Sequence, residues 1–168
     1  LMDIRILNEL DARIYQELRL EALKTNPEAF GSTYEREVEF TLETVKERIK
    51  PLKDKFVVGA FNDCNSLVGI VVFIRETNFK TQHKGNIFGM YITPANRGQG
   101  IGNLLMKEVI DRAKNLGGLE QINLTVVSDN HSAKKLYISM GFKIYGTERN
   151  ALKYNGHYSD EDLMVLTI

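Results

Sequence analysis

Three glycines alternate in Arg97-Gly98-Gln99-Gly100-Ile101-Gly102, where an apolar strand pattern ending at Thr93-Pro94 hands over to a helical one. Such a loop can hold an anion. A pyrophosphate needs several donors within about 3 Å and no side chains in the way. Glycine keeps the approach open, the free N–H groups of a first helical turn face outward, and the positive end of the helix macrodipole stands behind them. Arg97 adds a forked cation. Two familiar phosphate loops fail on spacing: the dinucleotide fingerprint requires a third glycine where Asn103 stands, and the Walker loop requires a Lys-Ser/Thr pair that is absent. Taken alone, the glycines also fit a tight turn with close helix-to-strand packing. His83, His131 and His157 lack the clustered or i, i+4 spacing of metal ligands, and Cys64 is the only cysteine, so no metal is expected.

Bulk properties narrow the partners. In 168 residues, 22 Lys plus Arg balance 22 Asp plus Glu, so no global field draws nucleic acid or an anionic membrane. The longest apolar run, Leu67 to Ile74, falls far short of the roughly 20 residues that span a bilayer. A single cysteine excludes an intrachain disulfide and makes a reducing cytoplasm the expected compartment. Met2 reads as the initiator, Leu1 as an addition, and residues 2–168 as one domain.

The elements that must position the glycine loop follow from periodicity. Asp3 to Asn8 alternates as a strand, and Leu10, Ile14, Leu18 and Ala22 recur at helical spacing until Asn26-Pro27. Glu28 to Phe40 has no clean period. A short helix follows over Leu42 to Lys50, with Thr41 as its cap. Phe56 to Phe61 and Leu67 to Ile74 form a hairpin, and Asn86 to Thr93 a third strand. The loop then opens a helix carrying Ile101, Leu105, Val109 and Ala113, ended by Gly117-Gly118. Gln121 to Val127 is a strand, and His131 to Met140 a helix capped near Asn130 and closed by Gly141. Phe142 to Leu152 and Leu163 to Ile168 are the last strands, with Asn155-Gly156 favouring a turn between them. This order predicts an α/β fold: a mixed, mostly antiparallel sheet with a central parallel strand pair and about four helices.

Arg-x-x-Gly-x-Gly after a strand ending Tyr-Ile-Thr-Pro resembles the coenzyme A signature of the GNAT superfamily of N-acetyltransferases. A second landmark agrees: Asn130, Tyr137 seven positions on, then Gly141-Phe142. The resemblance covers roughly Asp3 to Ile168 and matches the family's order of elements. It implies that acetyl-CoA is the acetyl donor, that the acceptor is an amine, most simply of a small molecule or amino acid, and that the central parallel pair is splayed. A protein N-terminus or lysine, or a non-catalytic acyl-CoA binding module, are the alternatives. Monomer and homodimer are both compatible.

The same resemblance assigns roles. Arg97, Gly98, Gln99, Gly100, Ile101 and Gly102 would hold the pyrophosphate. Main-chain groups of Met90, Tyr91 and Ile92 would bind pantetheine and polarise the thioester carbonyl, with Gly89 marking a bulge. Asn130 would bind the cofactor as well as cap its helix, and Tyr137 would give a proton to the departing thiolate. From ordinary values, that transfer is uphill by about 2 kcal/mol. Family members place a glutamate base five positions before the Asn, where this chain has Thr125, or in the signature strand, which here has no acid. The fold would lay Phe30 to Glu37 over the acceptor cleft, so one of Glu35 and Glu37 is the proposed base. Phe30, Tyr34 and Tyr154 are the proposed substrate contacts, with Tyr91 and Tyr158 as further aromatics of the same cleft.

Overall fold

In the computed structural model, which describes residues 1–168, the chain runs β1 (Asp3–Ile6), α1 (Ala12–Thr25), α2 (Tyr34–Glu37), α3 (Leu42–Ile49), β2 (Lys55–Phe61), β3 (Leu67–Arg75), β4 (Lys84–Ile92), α4 (Ile101–Lys114), β5 (Gln121–Val127), α5 (His131–Ser139), β6 (Lys143–Tyr154) and β7 (His157–Thr167). The strands form one seven-stranded sheet in the order β1-β2-β3-β4-β5-β7-β6. Every neighbouring pair is antiparallel except β4 and β5. The mixed sheet with a central parallel pair is as expected. The helices add one to the expected number, because α2 is a single turn capped by the Thr33 side chain.

The parallel pair is short. Its register runs from Lys84 opposite Gln121 to Asn86 opposite Asn123 and stops. From Ile87 onward β4 has no β5 partner, so the two strands open toward their C-terminal ends. The cause lies on the other edge of β4. Gly89 adopts φ +61°, and the β3–β4 register shifts between Ile70 and Val72. A bulge of this kind bends its strand away from the neighbour.

Two apolar clusters cover the two faces of the sheet. One joins α4, through Ile101, Leu105, Met106, Val109 and Ala113, to Val58, Val71, Phe73, Ile122 and Met164. The other joins α1 and α3, through Tyr15, Leu18, Ala22, Val45 and Ile49, to Val57, Ile70 and Tyr91. Truncating a buried Leu such as Leu105 would cost about 2–5 kcal/mol, so the mouth of the β4–β5 opening is held from both sides.

Two expectations are corrected. Leu10 is 94% exposed and Ile14 37% exposed. Asn8 caps a short 3-10 turn ahead of the helix, so α1 starts only at Ala12 and turns Tyr15 inward together with the expected Leu18 and Ala22. The closing strand begins at His157 rather than Leu163. Asn155 (φ +49°) and Gly156 (φ +77°) make a two-residue turn, which lets the hairpin pair from Tyr154 opposite His157 onward.

Candidate active site

The glycine loop forms one wall of a cavity of about 800 Å³ bounded by β4, the start of α4, Asn130 and α5. Gly98 and Gly100 have φ +76° and +79°, and a Cβ on either would meet nothing within 4 Å. Their backbone conformation would cost an L-residue about 1–2 kcal/mol, and the space a side chain would fill is open. Gly100 caps α4 without a side chain, and the first carbonyl taken up is its own, by Leu104 N at 3.2 Å. The N–H groups of Ile101, Gly102 and Asn103 therefore have no helical acceptor, and all three residues line the cavity. Gly102 does a different job. A Cβ there would lie 2.9 Å from Leu136 Cδ2 and 3.4 Å from Ile92 Cδ1, so it lets α4 close on β4 and α5. Anion access and tight packing, alternatives in the sequence, are divided between neighbouring glycines.

Arg97 also lines this cavity. Its Nε donates to the Ile92 carbonyl and its Nη2 to Asn26 Oδ1, both at 2.9 Å, while the guanidinium lies over the Tyr91 ring. The Gln99 side chain turns to the Ala95 carbonyl at 3.4 Å and is not in the wall of this cavity. Asn103, which sequence reasoning passed over, stands in the wall instead.

A second cavity of about 450 Å³ adjoins the first, and Phe30, Met90, Val127, Asn130 and Ala133 line both. The junction is the β4–β5 opening. Asn130 Oδ1 accepts from Ala133 N at 3.3 Å, so it caps α5 while facing both spaces. Tyr137, two turns into α5, is 6% exposed, packs edge-on to Phe142, and lines the smaller cavity, and its hydroxyl makes no hydrogen bond within the chain. Burial pushes its phenol up to about 12. Between Asn130 and Tyr137 on the same helix, Lys134 pairs with buried Asp162 at 2.8 Å. Asp162 also accepts from Ser128 Oγ (2.8 Å) and Thr147 Oγ1 (3.0 Å), and these partners hold its carboxyl below the usual range. That network fastens α5 to β5, β6 and β7.

Glu161 supplies the carboxylate of the smaller cavity. It sits on β7 opposite Val127 of β5 and opposite Glu148 of β6. Burial raises its carboxyl above the ordinary glutamate value, and the like charge of Glu148 raises it further. Thr125 lines the same space, two residues from Val127 and so on the same face. Thr125 is thus next to a glutamate delivered by the adjacent strand.

The sequence matches the family model of the acetyltransferase (GNAT) domain over residues 4–163. The chain belongs to the GNAT acetyltransferase family. It is 36% identical over 73 residues to the L-amino acid N-acetyltransferase AaaT of Escherichia coli, a stretch covering 44% of this chain and 45% of that protein. The match therefore spans less than half the length of that curated relative. The fold is similar to that of a GNAT-family acetyltransferase from Streptococcus pneumoniae, with a TM-score of 0.88 over 100% of both chains at 24% identity. It is also similar to a GNAT superfamily phosphinothricin acetyltransferase from Sinorhizobium meliloti, determined in complex with acetyl-CoA. There the TM-score is 0.82 at 20% identity, over 99% of this chain and 88% of that one.

Within this GNAT chain the two candidate bases stand elsewhere. Glu35 is exposed on α2 and lines neither cavity. Glu37 is 1% exposed and held by Arg19, whose Nε and Nη2 reach its two oxygens at 3.0 and 2.9 Å. Burial alone would raise its carboxyl, but hydrogen bonds from Arg19 and Ser32 and the charge of Arg48 outweigh that and hold it low. A carboxylate so occupied is a poor proton acceptor. Among the proposed aromatics, Phe30 lines both cavities, whereas Tyr34 packs under Lys24 and lines neither. Tyr154 and Tyr158 are exposed on the β6–β7 hairpin, and Tyr154 lines a third cavity of about 330 Å³ whose wall includes Phe30, Gly31 and Ser32 of the smaller one. Tyr91 lies at the larger cavity with its hydroxyl tied to Glu21 at 2.8 Å.

Proposed function

We propose that this chain transfers the acetyl group of acetyl-CoA to the primary amine of a small molecule, amino acids included, by direct attack within a ternary complex in the cytoplasm. The observation that carries this is the meeting of two unlike cavities at the β4–β5 opening, with Met90 and Asn130 in both walls and Glu161 and Tyr137 on the smaller side. In this reading Gly98, Gly100 and the free N–H groups of α4 receive the pyrophosphate. The unpartnered edge of β4 at Met90 to Ile92 receives the pantetheine amides and gives an N–H to the thioester carbonyl, where negative charge develops.

Glu161 accepts a proton from the substrate ammonium, which is only about one part in a thousand neutral at pH 7. Its raised carboxyl makes that acceptance easier. The free amine attacks the carbonyl carbon, the N–C bond forms, and the C–S bond breaks. Of the three ammonium protons, one stays on the amide, one leaves through Glu161, and one ends on sulfur by way of Tyr137. With the phenol near 12 and a thiol near 8.5, prior proton transfer would cost about 5 kcal/mol rather than 2. Tyr137 therefore shares its proton with sulfur as the C–S bond breaks and does not deliver it beforehand.

The deciding experiment measures thiol release from acetyl-CoA across a panel of amines and amino acids, with Glu161→Gln beside the unaltered protein. Amine-dependent release that the substitution abolishes is the expected result. Failure of every small amine, together with acetylation of cellular proteins on mass spectrometry, would replace the small-molecule acceptor with a polypeptide.

A further inference from the structure

The acceptor cavity is cationic on one side in a way that an amine-binding pocket does not need. Arg19 of α1, Arg48 of α3 and Lys55 of β2 line it, and the carboxylate set against them is Glu37. Arg19 is only partly engaged: Glu37 takes Nε and Nη2, while Nη1 makes no hydrogen bond within the chain. The Arg19 guanidinium carbon lies over the Phe30 ring, 5.1 Å from its centroid. Arg48 Nη1 is 3.8 Å from Glu37, and Lys55 forms no ion pair. The opposite side carries Glu161. A simple monoamine would satisfy Glu161 and leave three cations facing one carboxylate, Glu37.

The free edge of Arg19 is also close to the chemistry. A Cβ built on Gly89 would lie 3.6 Å from Arg19 Nη1, and Gly89 immediately precedes Met90, one of the residues shared by both cavities. An anion received there sits beside the carbonyl under attack, so it belongs to an atom near the nucleophilic nitrogen and not to a distant end of the acceptor. A carboxylate one carbon from the amine fits.

We propose that the acceptor is an α-amino acid whose carboxylate is bound by Nη1 of Arg19, and that Glu37 is a positioning residue that holds Arg19 in that orientation. This rests on the smaller cavity being the acceptor site. Glu37, unsuited to accept a proton, acquires a role: its bidentate grip turns one edge of the fork into the wall and the other toward substrate.

Matched pairs differing only in the carboxylate test this: norleucine against pentylamine and phenylalanine against phenethylamine. The unaltered enzyme is expected to favour the amino acid in kcat/KM by about 10- to 100-fold, the range for hydrogen bonds to a charged group. Arg19→Met should collapse that ratio toward unity, chiefly through KM for the amino acid. Glu37→Gln should lower it partway, with partial recovery in Glu37→Asp. Because Arg19→Met leaves Glu37 buried without its partner, Arg19→Met/Glu37→Leu removes both charges and supplies a second test of the same ratio. Equal use of both members of each pair, or a ratio that neither variant moves, overturns the proposal. If no amine of either kind releases thiol, the acetyltransfer reading fails by itself. Calorimetry of norleucine and pentylamine with the coenzyme A-loaded protein then decides: norleucine binding abolished in the double variant supports the carboxylate site, and absence of norleucine binding to the unaltered protein removes it.

Discussion

The two cavities are made of different material. The larger is walled on its anion-binding side by main chain, with Gly98, Gly100 and the first N–H groups of α4 supplied by consecutive residues. The smaller is walled by residues from α1, α3, β2, β3, β4, β5, α5 and β7, brought together only by the whole sheet. A backbone site tolerates change in most side chains but not in φ or in bulk. A side-chain site can be retuned one residue at a time, and each of its residues carries a distinct share of the chemistry.

Substitutions should expose that difference, beginning with Glu161→Gln. Loss of a positioned base lowers rates by about 10²- to 10⁴-fold, so kcat/KM should fall by that factor while acetyl-CoA affinity persists. In the unaltered enzyme the acid limb of the kcat/KM profile should lie above the ordinary glutamate value, since burial and Glu148 raise Glu161. Glu148→Gln removes the repulsion and should move that limb to lower pH; a stationary limb would argue that Glu161 is not the group observed. Next, Tyr137→Phe should lower kcat about 10- to 100-fold with the dissociation constant of acetyl-CoA unchanged, because its hydrogen bond to sulfur strengthens only as the bond breaks. Full activity would reduce Tyr137 to packing against Phe142.

On the backbone side, Gly100→Glu should weaken acetyl-CoA binding by about 10-fold or more through bulk, charge and its positive φ, and an unaltered dissociation constant would dispose of that placement. The smallest effect concerns stability in acid. Asp162 and Glu37 are both held below their ordinary values, so the stability they contribute is present above the unfolded value near 4 and is lost as pH falls through their folded values. Glu161 has the opposite sign and is relieved by protonation. Melting temperature should therefore fall below about pH 4, less steeply in Asp162→Asn than in the unaltered protein.

What could be read in the sequence divides along the same line. The glycine loop, Asn130 and Tyr137 are spaced along single stretches of chain, so a resemblance to a family signature could be recognised at them directly. Thr41 and Asn130 announced their helices because capping is local chemistry. Glu161 was hidden by strand register. With the last strand begun at Leu163, Asp160-Glu161-Asp162 reads as an acidic loop. Once β7 starts at His157, alternation sends Glu161 to the cavity face beside Thr125 and Asp162 to the opposite face with Lys134. The missing acid at Thr125 was the available signal, since it directs the search to the neighbouring strand. Glu37 misled for the complementary reason: α2 is a single turn, and nothing periodic revealed that it folds its carboxylate into the protein.

Met90 and Asn130 stand in the walls of both cavities, so the two spaces adjoin at these residues. On the proposed function, a synthetic conjugate joining the sulfur of coenzyme A to the nitrogen of an amino acid through an acetyl bridge would occupy both. Each half would raise the local concentration of the other, so the whole should outbind either fragment by orders of magnitude. Shortening the bridge would strand one half outside its space, making bridge length a ruler for the gap between Gly100 and Arg19.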